Sequence, residues 1–443
     1  MTDLDPICYH ATHRQENAPL DPQRCQAYLK ILHEELVPAM GCTEPIAVAY
    51  AAAKCRETLG RMPQRCLLSV SGNIIKNVKS VIVPNTGGLK GLEASVAAGV
   101  VAGDASAVLE VVAGITPDRY PDIRAYLDSH EIRVELADTD ETFYLDLSME
   151  TEDHTARVVV SNYHTNIVLL ERDGTALFRS GDAAVQEGGL TDRSVLNVAD
   201  ILTFADTVEL DLVRDILKRQ VDYNTAIAEE GLQGSWGAQV GRTLMSQYDS
   251  TDLVLRAKAY AAAGSDARMS GCSLPVVIVS GSGNQGMTAS LPVVVFAREL
   301  GKSDEELYRA LIVSNLITIH QKTGIGRLSA FCGAVSAGIG AAAGIVFLYG
   351  GRYEEIAHTI VNALAILSGM TCDGAKPSCA AKIAAAVDAG IFGYKLFLNG
   401  HQFYAGDGIV TKGVDNTIQN VGRMAREGMR ETDREILRIM VGD

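Results

Sequence analysis

Apolar residues recur at helical spacing over residues 21–60. Leu29, Ile31, Leu32 and Leu36 follow an Asp21-Pro22 start signal, and an alanine-rich helix is expected from Pro45 to Leu59. Thr43 is the expected N-cap of that second helix, with Pro45 in its first turn. From about 62 to 175 the pattern shortens to β-type runs: CLLSVSGNIIKN, SVIVP, EIRVELAD, TFYLDLSME, HTARVVVSN and NIVLLERDG. Two segments there, GLEASVAAGVVAG and PDIRAYLDSH, read as helices. From 195 onward, long apolar segments alternate with polar, glycine-rich turns, and no fixed-period repeat is present. The pattern predicts an α+β fold. N-terminal helices over 1–61 would pack on a large, mainly helical domain over 176–443, with a small α/β domain inserted at 62–175.

The uncharged run at 330–349 (AFCGAVSAGIGAAAGIVFLY) is long enough to span a bilayer. It is mostly Gly, Ala and Ser, and no aromatic belt or basic cluster flanks it, so a buried core helix is expected and no membrane association. Composition fits that view: 47% of residues are apolar, only 6% are aromatic, and Gly is abundant. Small residues at helix contacts are the consequence. The net charge of -15 excludes nucleic acid as a partner. The first residues show no basic segment followed by an apolar one, so no signal peptide is expected. Nine cysteines without an export signal point to a reducing, cytoplasmic setting, where grouped cysteines are metal ligands or catalytic groups more often than disulfides.

Candidate chemistry follows the cysteines. Cys332 begins the apolar run, and Cys372 and Cys379 flank a turn containing Asp373, Gly374 and Pro377. The tight C-x2-4-C pair of zinc sites is absent. Three thiolates would suit a [4Fe–4S] cluster with one iron free of protein cysteine, able to act as a Lewis acid. Cys332 taken alone reads as a small buried hydrophobe, whereas Cys372 and Cys379 flank a turn of the kind where metal ligands sit. Cys42 precedes a helix start, where exposed N–H groups favour a thiolate, while Glu44 opposes that effect.

Gly281, Gly283 and Gly286 form a G-x-G-x-x-G after the strand-like PVVIVS. Pro292 and the lack of a βαβ pattern argue against a dinucleotide site, so no NAD is expected. A loop of N–H donors with Asn284 and Gln285 suits a substrate carboxylate better. Asn73, Asn85 and Thr86 lie in two further polar, glycine-containing turns that would bind an amino acid or simply turn the chain. His320, Lys322 and Arg327 precede Cys332 and offer cations to cluster or substrate. Lys376 has no phosphate cup near it, so no PLP is expected. His154 and His164 are spaced for neither zinc nor a triad, and 423–439 reads as a solvated amphipathic helix.

The C-x39-C-x6-C spacing with T-C-D-G-A-K-P-S-C resembles the iron–sulfur L-cysteine desulfidases, relatives of the catalytic part of iron–sulfur L-serine dehydratases. The likeness extends to A-M-G-C-T-E-P-I-A (39–47), V-P-N-T-G-G-L-K-G (83–91), S-G-S-G-N-Q-G (280–286), H-Q-K-T-G-I-G-R-L-S-A-F-C-G (320–333) and G-D-G-I-V (406–410). The resemblance implies a lyase in which Cys332, Cys372 and Cys379 bind the cluster and Cys42 moves the α-proton. It implies β-elimination of L-cysteine to hydrogen sulfide, pyruvate and ammonia, with L-serine dehydration as the alternative. A protein that binds an amino acid without turning it over is the alternative from another class. The expected partner is a small amino-acid substrate, with a homo-oligomer as one assembly the chain allows.

Overall fold

A computed structural model describes residues 20–180 and 190–442. The opening segment read as free of a signal peptide lies outside the described residues. Asp21 caps α1 (Pro22–Glu35), its carboxylate accepting from the N–H groups of Gln23 and Arg24. The chain then runs through β1 (Pro38–Met40), α2 (Thr43–Leu59), β2 (Arg65–Val70), α3 (Gly72–Val78), α4 (Gly91–Ala102), α5 (Tyr120–Ser129) and β3 (Glu131–Leu136). A meander follows: β4 (Tyr144–Glu150), β5 (Thr155–Ser161), β6 (Ile167–Arg172) and β7 (Thr175–Arg179). The remainder holds α6 (Val198–Thr207), α7 (Arg214–Gln233), α8 (Val240–Gln247), α9 (Leu253–Met269), β8 (Pro275–Val277), α10 (Gly283–Glu299) and α11 (Asp304–Ile325). It ends with α12 (Gly333–Leu348), α13 (Tyr353–Leu367), α14 (Cys379–Leu398), α15 (Val414–Arg423) and α16 (Arg430–Val441). The fold is α+β, as the pattern implied.

Strands β2 to β7 form one sheet in the order β3-β2-β4-β5-β6-β7, with β2 and β3 parallel and the other pairs antiparallel. Alternation sets its faces: Leu145, Leu147 and Met149 of β4 are buried, and α2 covers them, with Cys55 against the Leu147 carbonyl. Helix α4 lies so close to α2 that a Cβ on Gly99 would sit 2.2 Å from the Ala49 oxygen.

Three expectations need correction. Residues 72–78, read as part of a strand, form helix α3; an apolar run of that length has no decisive period. SVIVP contributes only the bridge Ile82–Lys90. Helix α2 starts two residues early, with Cys42 rather than Thr43 at the N-cap.

The 330–349 run becomes α12, buried along nearly its whole length between α10, α11, α13 and α14. Its glycines explain why: a Cβ on Gly338 would meet the Ala386 backbone, and one on Gly340 the side chain of Thr318. Small residues here allow helix backbones to touch. Among the described residues no helix is long and apolar enough to cross a membrane.

Residues distant in sequence are joined by one small pairing. β1 and β8 form a two-stranded antiparallel ribbon, with Ala39 opposite Val276. This sets Gly41-Cys42, at the head of α2, beside the 280–284 loop at the head of α10. The ribbon is antiparallel and only three residues wide on each side, so the G-x-G-x-x-G does not sit in a βαβ unit. Gly286 serves packing instead: a Cβ there would lie 1.9 Å from the Val277 oxygen.

Candidate active site

The heads of α2, α10, α12 and α14 meet at one cavity with an empty volume of about 790 Å³, its mouth included. Cys42, Cys332, Cys372 and Cys379 all line it, as do Asn284 and Gln285. Asn73, Asn85 and Thr86 are not among the lining residues. Asn73 donates to Asp433, and Asn85, at positive φ, donates to the Val112 carbonyl. The Thr86 hydroxyl donates to the Val83 carbonyl and accepts from the Leu89 N–H, closing its own turn.

The thiols are positioned by backbone. Cys332 is the N-cap of α12, and Cys379 is the first residue of α14. A short antiparallel bridge, Phe331–Thr371, ties the two stretches together. In it the Cys332 N–H donates to the Met370 carbonyl and the Cys372 N–H to the Ala330 carbonyl. Gly374 turns the chain at φ +94°, and a Cβ there would sit 2.2 Å from the Lys76 oxygen. Among the described residues, no three His, Cys, Asp or Glu side chains gather as one metal ion would require. Cys332, Cys372 and Cys379 share the lining, and Cys372 raises both of the other thiols. Three thiolates on one cavity are a donor set that suits an iron–sulfur cluster.

Burial pushes the Cys332 thiol up to about 12, with Cys372 adding to the rise, and raises Cys379 as well. Cations stand by to offset this. Lys322 is buried on the cavity wall, its amine lowered to about 8 by burial and partly restored by Cys372 and Cys332. Lys382 donates to the Thr371 carbonyl and to Asp373. His320 instead pairs with Asp415 at 2.8 Å, away from the lining, and Lys376 pairs with Asp373. Arg327 lines the cavity but is bound to Glu35 at 2.8 Å and lies over the Tyr163 ring.

At the opposite wall the Cys42 thiol donates to Glu44 Oε2 at 3.2 Å. Burial raises this thiol well above its ordinary value and Glu44 adds to the rise, while Arg268 counters it. The helix head therefore does not make Cys42 a thiolate in the resting protein. Desolvation and the adjacent carboxylate outweigh the backbone dipole. Burial also acts to raise Glu44, but His164 and the Cys42 thiol prevail and hold its carboxyl below the ordinary value. Glu44 Oε1 accepts from Asn77 Nδ2 at 3.3 Å and lies 3.7 Å from His164 Nε2.

Sequence reasoning missed Asn77, His164 and Arg268. His164 comes from the β5–β6 connection and Arg268 from the end of α9, and both are buried. Arg268 Nη1 donates to Asn284 Oδ1 at 3.1 Å. Two buried atoms on this wall, Arg268 Nε and Gln285 Oε1, have no hydrogen-bond partner, and His164 Nε2 has only Glu44, at 3.7 Å. Buried polar atoms are rarely left so, and their grouping marks a place for a ligand.

The fold and site define a mainly helical protein in which Cys42, Cys332, Cys372 and Cys379 line one cavity. Residues 95–438 match the serine dehydratase alpha chain family, and the chain belongs to that family. It is 58% identical over 416 residues to the UPF0597 protein DSY1109 of Desulfitobacterium hafniense (strain Y51), covering 94% of this chain and 96% of the relative. A UPF0597 protein of Treponema denticola is 48% identical, over 96% of this chain and all of the relative. One of Lachnoclostridium phytofermentans is 50% identical, over 93% and 99%. The family supports a lyase of the amino-acid-degrading type.

Proposed function

We propose that this protein is an L-cysteine desulfidase that eliminates the β-thiol of L-cysteine, giving hydrogen sulfide, pyruvate and ammonia. The observation that carries the reading is the convergence of Cys42, Cys332, Cys372 and Cys379 on one cavity from widely separated stretches of chain. The family supports the reaction class, and the desulfidase-like blocks around Cys42 and Cys372 support the substrate.

Cys332, Cys372 and Cys379 are the residues that would hold a [4Fe–4S] cluster. When bound, it supplies a Lewis acid at an iron free of protein cysteine, which weakens the bond to the β-substituent. The protein's own part is proton movement and exclusion of water. Glu44, held as a carboxylate, accepts the Cys42 S–H hydrogen bond and is placed to take that proton once the bound substrate's ammonium offsets the burial that keeps it on sulfur. The Cys42 thiolate then removes the α-proton. Asn284 and Gln285 offer polar contacts to the substrate. Aminoacrylate leaves, tautomerises and takes up water to give pyruvate and ammonia.

L-Serine dehydration is the second reading, favoured by the family's description. The test is sulfide and pyruvate release from both amino acids by anaerobically purified protein. Equal sulfide and pyruvate from L-cysteine is expected. Pyruvate from L-serine alone would replace the desulfidase reading. Binding of L-cysteine by cluster-loaded protein without product would make this a binding protein.

A further inference from the structure

We infer that Arg268 is the residue that recognises the substrate's α-carboxylate, which restricts the site to free α-amino acids. The inference rests on the amino-acid reading of the cavity. Arg268 is 2% exposed, and burial lowers its affinity for a proton. A buried guanidinium is costly unless an anion faces it. The other charged groups on the wall have partners. Glu44 is taken by Cys42 and Asn77, and Arg327 by Glu35, while Lys322 donates to the Arg327 carbonyl and stands on the thiol side of the cavity with Cys372 and Cys332. Arg268 makes no ion pair among the described residues, and the nearby Cys42, Glu44 and Cys379 only partly offset its burial. Its hydrogen bonds go to neutral oxygens, Asn284 Oδ1 at 3.1 Å and Thr43 Oγ1 at 3.5 Å, and its Nε has none.

The chain is built to keep it there. Gly283 opens α10 directly beneath the guanidinium, and a Cβ at that position would lie 2.4 Å from Arg268 Nε. Asn284, the next residue, orients it, and Gln285, two residues on, presents an unpartnered buried oxygen to the same cavity. A guanidinium and the Gln285 amide on the lining of one cavity match a ligand that carries a carboxylate and an adjacent N–H donor. The substrate ammonium supplies that donor. Peptides, amides and esters, which lack the free carboxylate, would leave Arg268 buried and unpaired.

The test is calorimetric titration of full-length, anaerobically purified protein with L-cysteine, L-serine and their amides, with sulfide and pyruvate followed in parallel. The acids should be taken up at least about 100-fold more tightly than the amides, the scale of a charge-assisted contact in a buried site. Arg268→Gln should erase that preference, and Arg268→Lys should restore part of it. Equal uptake of acid and amide by the wild-type protein overturns the inference, whatever products form. So does an Arg268→Gln variant that keeps the preference and only shifts the pH dependence of Cys42 alkylation, because Arg268 would then serve the thiol. Acid-selective uptake without sulfide or pyruvate would sustain the inference and remove the desulfidase reading. Uptake of neither amino acid would overturn both.

Discussion

The Cys42 thiol points at the Glu44 carboxylate, 3.2 Å away, inside a site where both are buried. The pair divides one proton unequally: burial and the neighbouring anion keep it on sulfur, while His164 keeps Glu44 ionised. Burial holds the thiol up and Glu44→Gln removes the anion that adds to it. Cys42 should then react with iodoacetamide faster than in the wild type at pH 8, where the native thiol lags a free cysteine. Turnover should nevertheless fall, by about 100-fold or more, because the proton acceptor is gone. Alkylation and activity that fall together would rule out this division of labour.

Asp266 provides a separate pH-dependent effect. Burial raises its carboxyl to about 6, although the Gly241 N–H donates to it. The unfolded chain ionises near the ordinary value of 3.8, before the folded protein does. Stability is therefore lost as pH rises from about 4 to 6 and stays low above that. Asp266→Asn keeps an acceptor for Gly241 and should stabilise the protein at pH 7.5 by on the order of 1–2 kcal/mol. Urea unfolding checks this, and the gain should shrink as the pH approaches 4.

Gly286 tests the packing explanation of the glycine motif. Its missing side chain lets α10 rest on the Val277 carbonyl. Gly286→Ala should cost about 1–3 kcal/mol in urea unfolding, since backbone must move. Neither variant nor wild type should retain a nicotinamide nucleotide through gel filtration, and retention would revive the dinucleotide reading.

The legible parts of this site were those whose sequence carries a local signal. Asp21-Pro22 started α1, and the blocks around Cys42, Cys332 and Cys372 marked residues that do share a cavity. Asn85 and Thr86 carried the same kind of signal, yet their polar groups are used up in their own turns, which no spacing rule reveals. Asn77 was hidden because α3 is too short to show a helical period. Arg268 and His164 were hidden for a different reason. One ends an alanine-rich helix and reaches Cys42 through the β1–β8 ribbon and the absent side chain of Gly283, and the other sits in a strand connection carried there by the packing of α2 on β5 and β6.

The most direct test of the account is iron content measured beside sulfide release in four anaerobically purified variants. Cys332→Ser, Cys372→Ser and Cys379→Ser should lose both iron and activity. Cys42→Ser should keep about four irons per chain and lose turnover. Cysteine variants at 332, 372 and 379 that retain full iron and full sulfide release would contradict the assignment of this cavity.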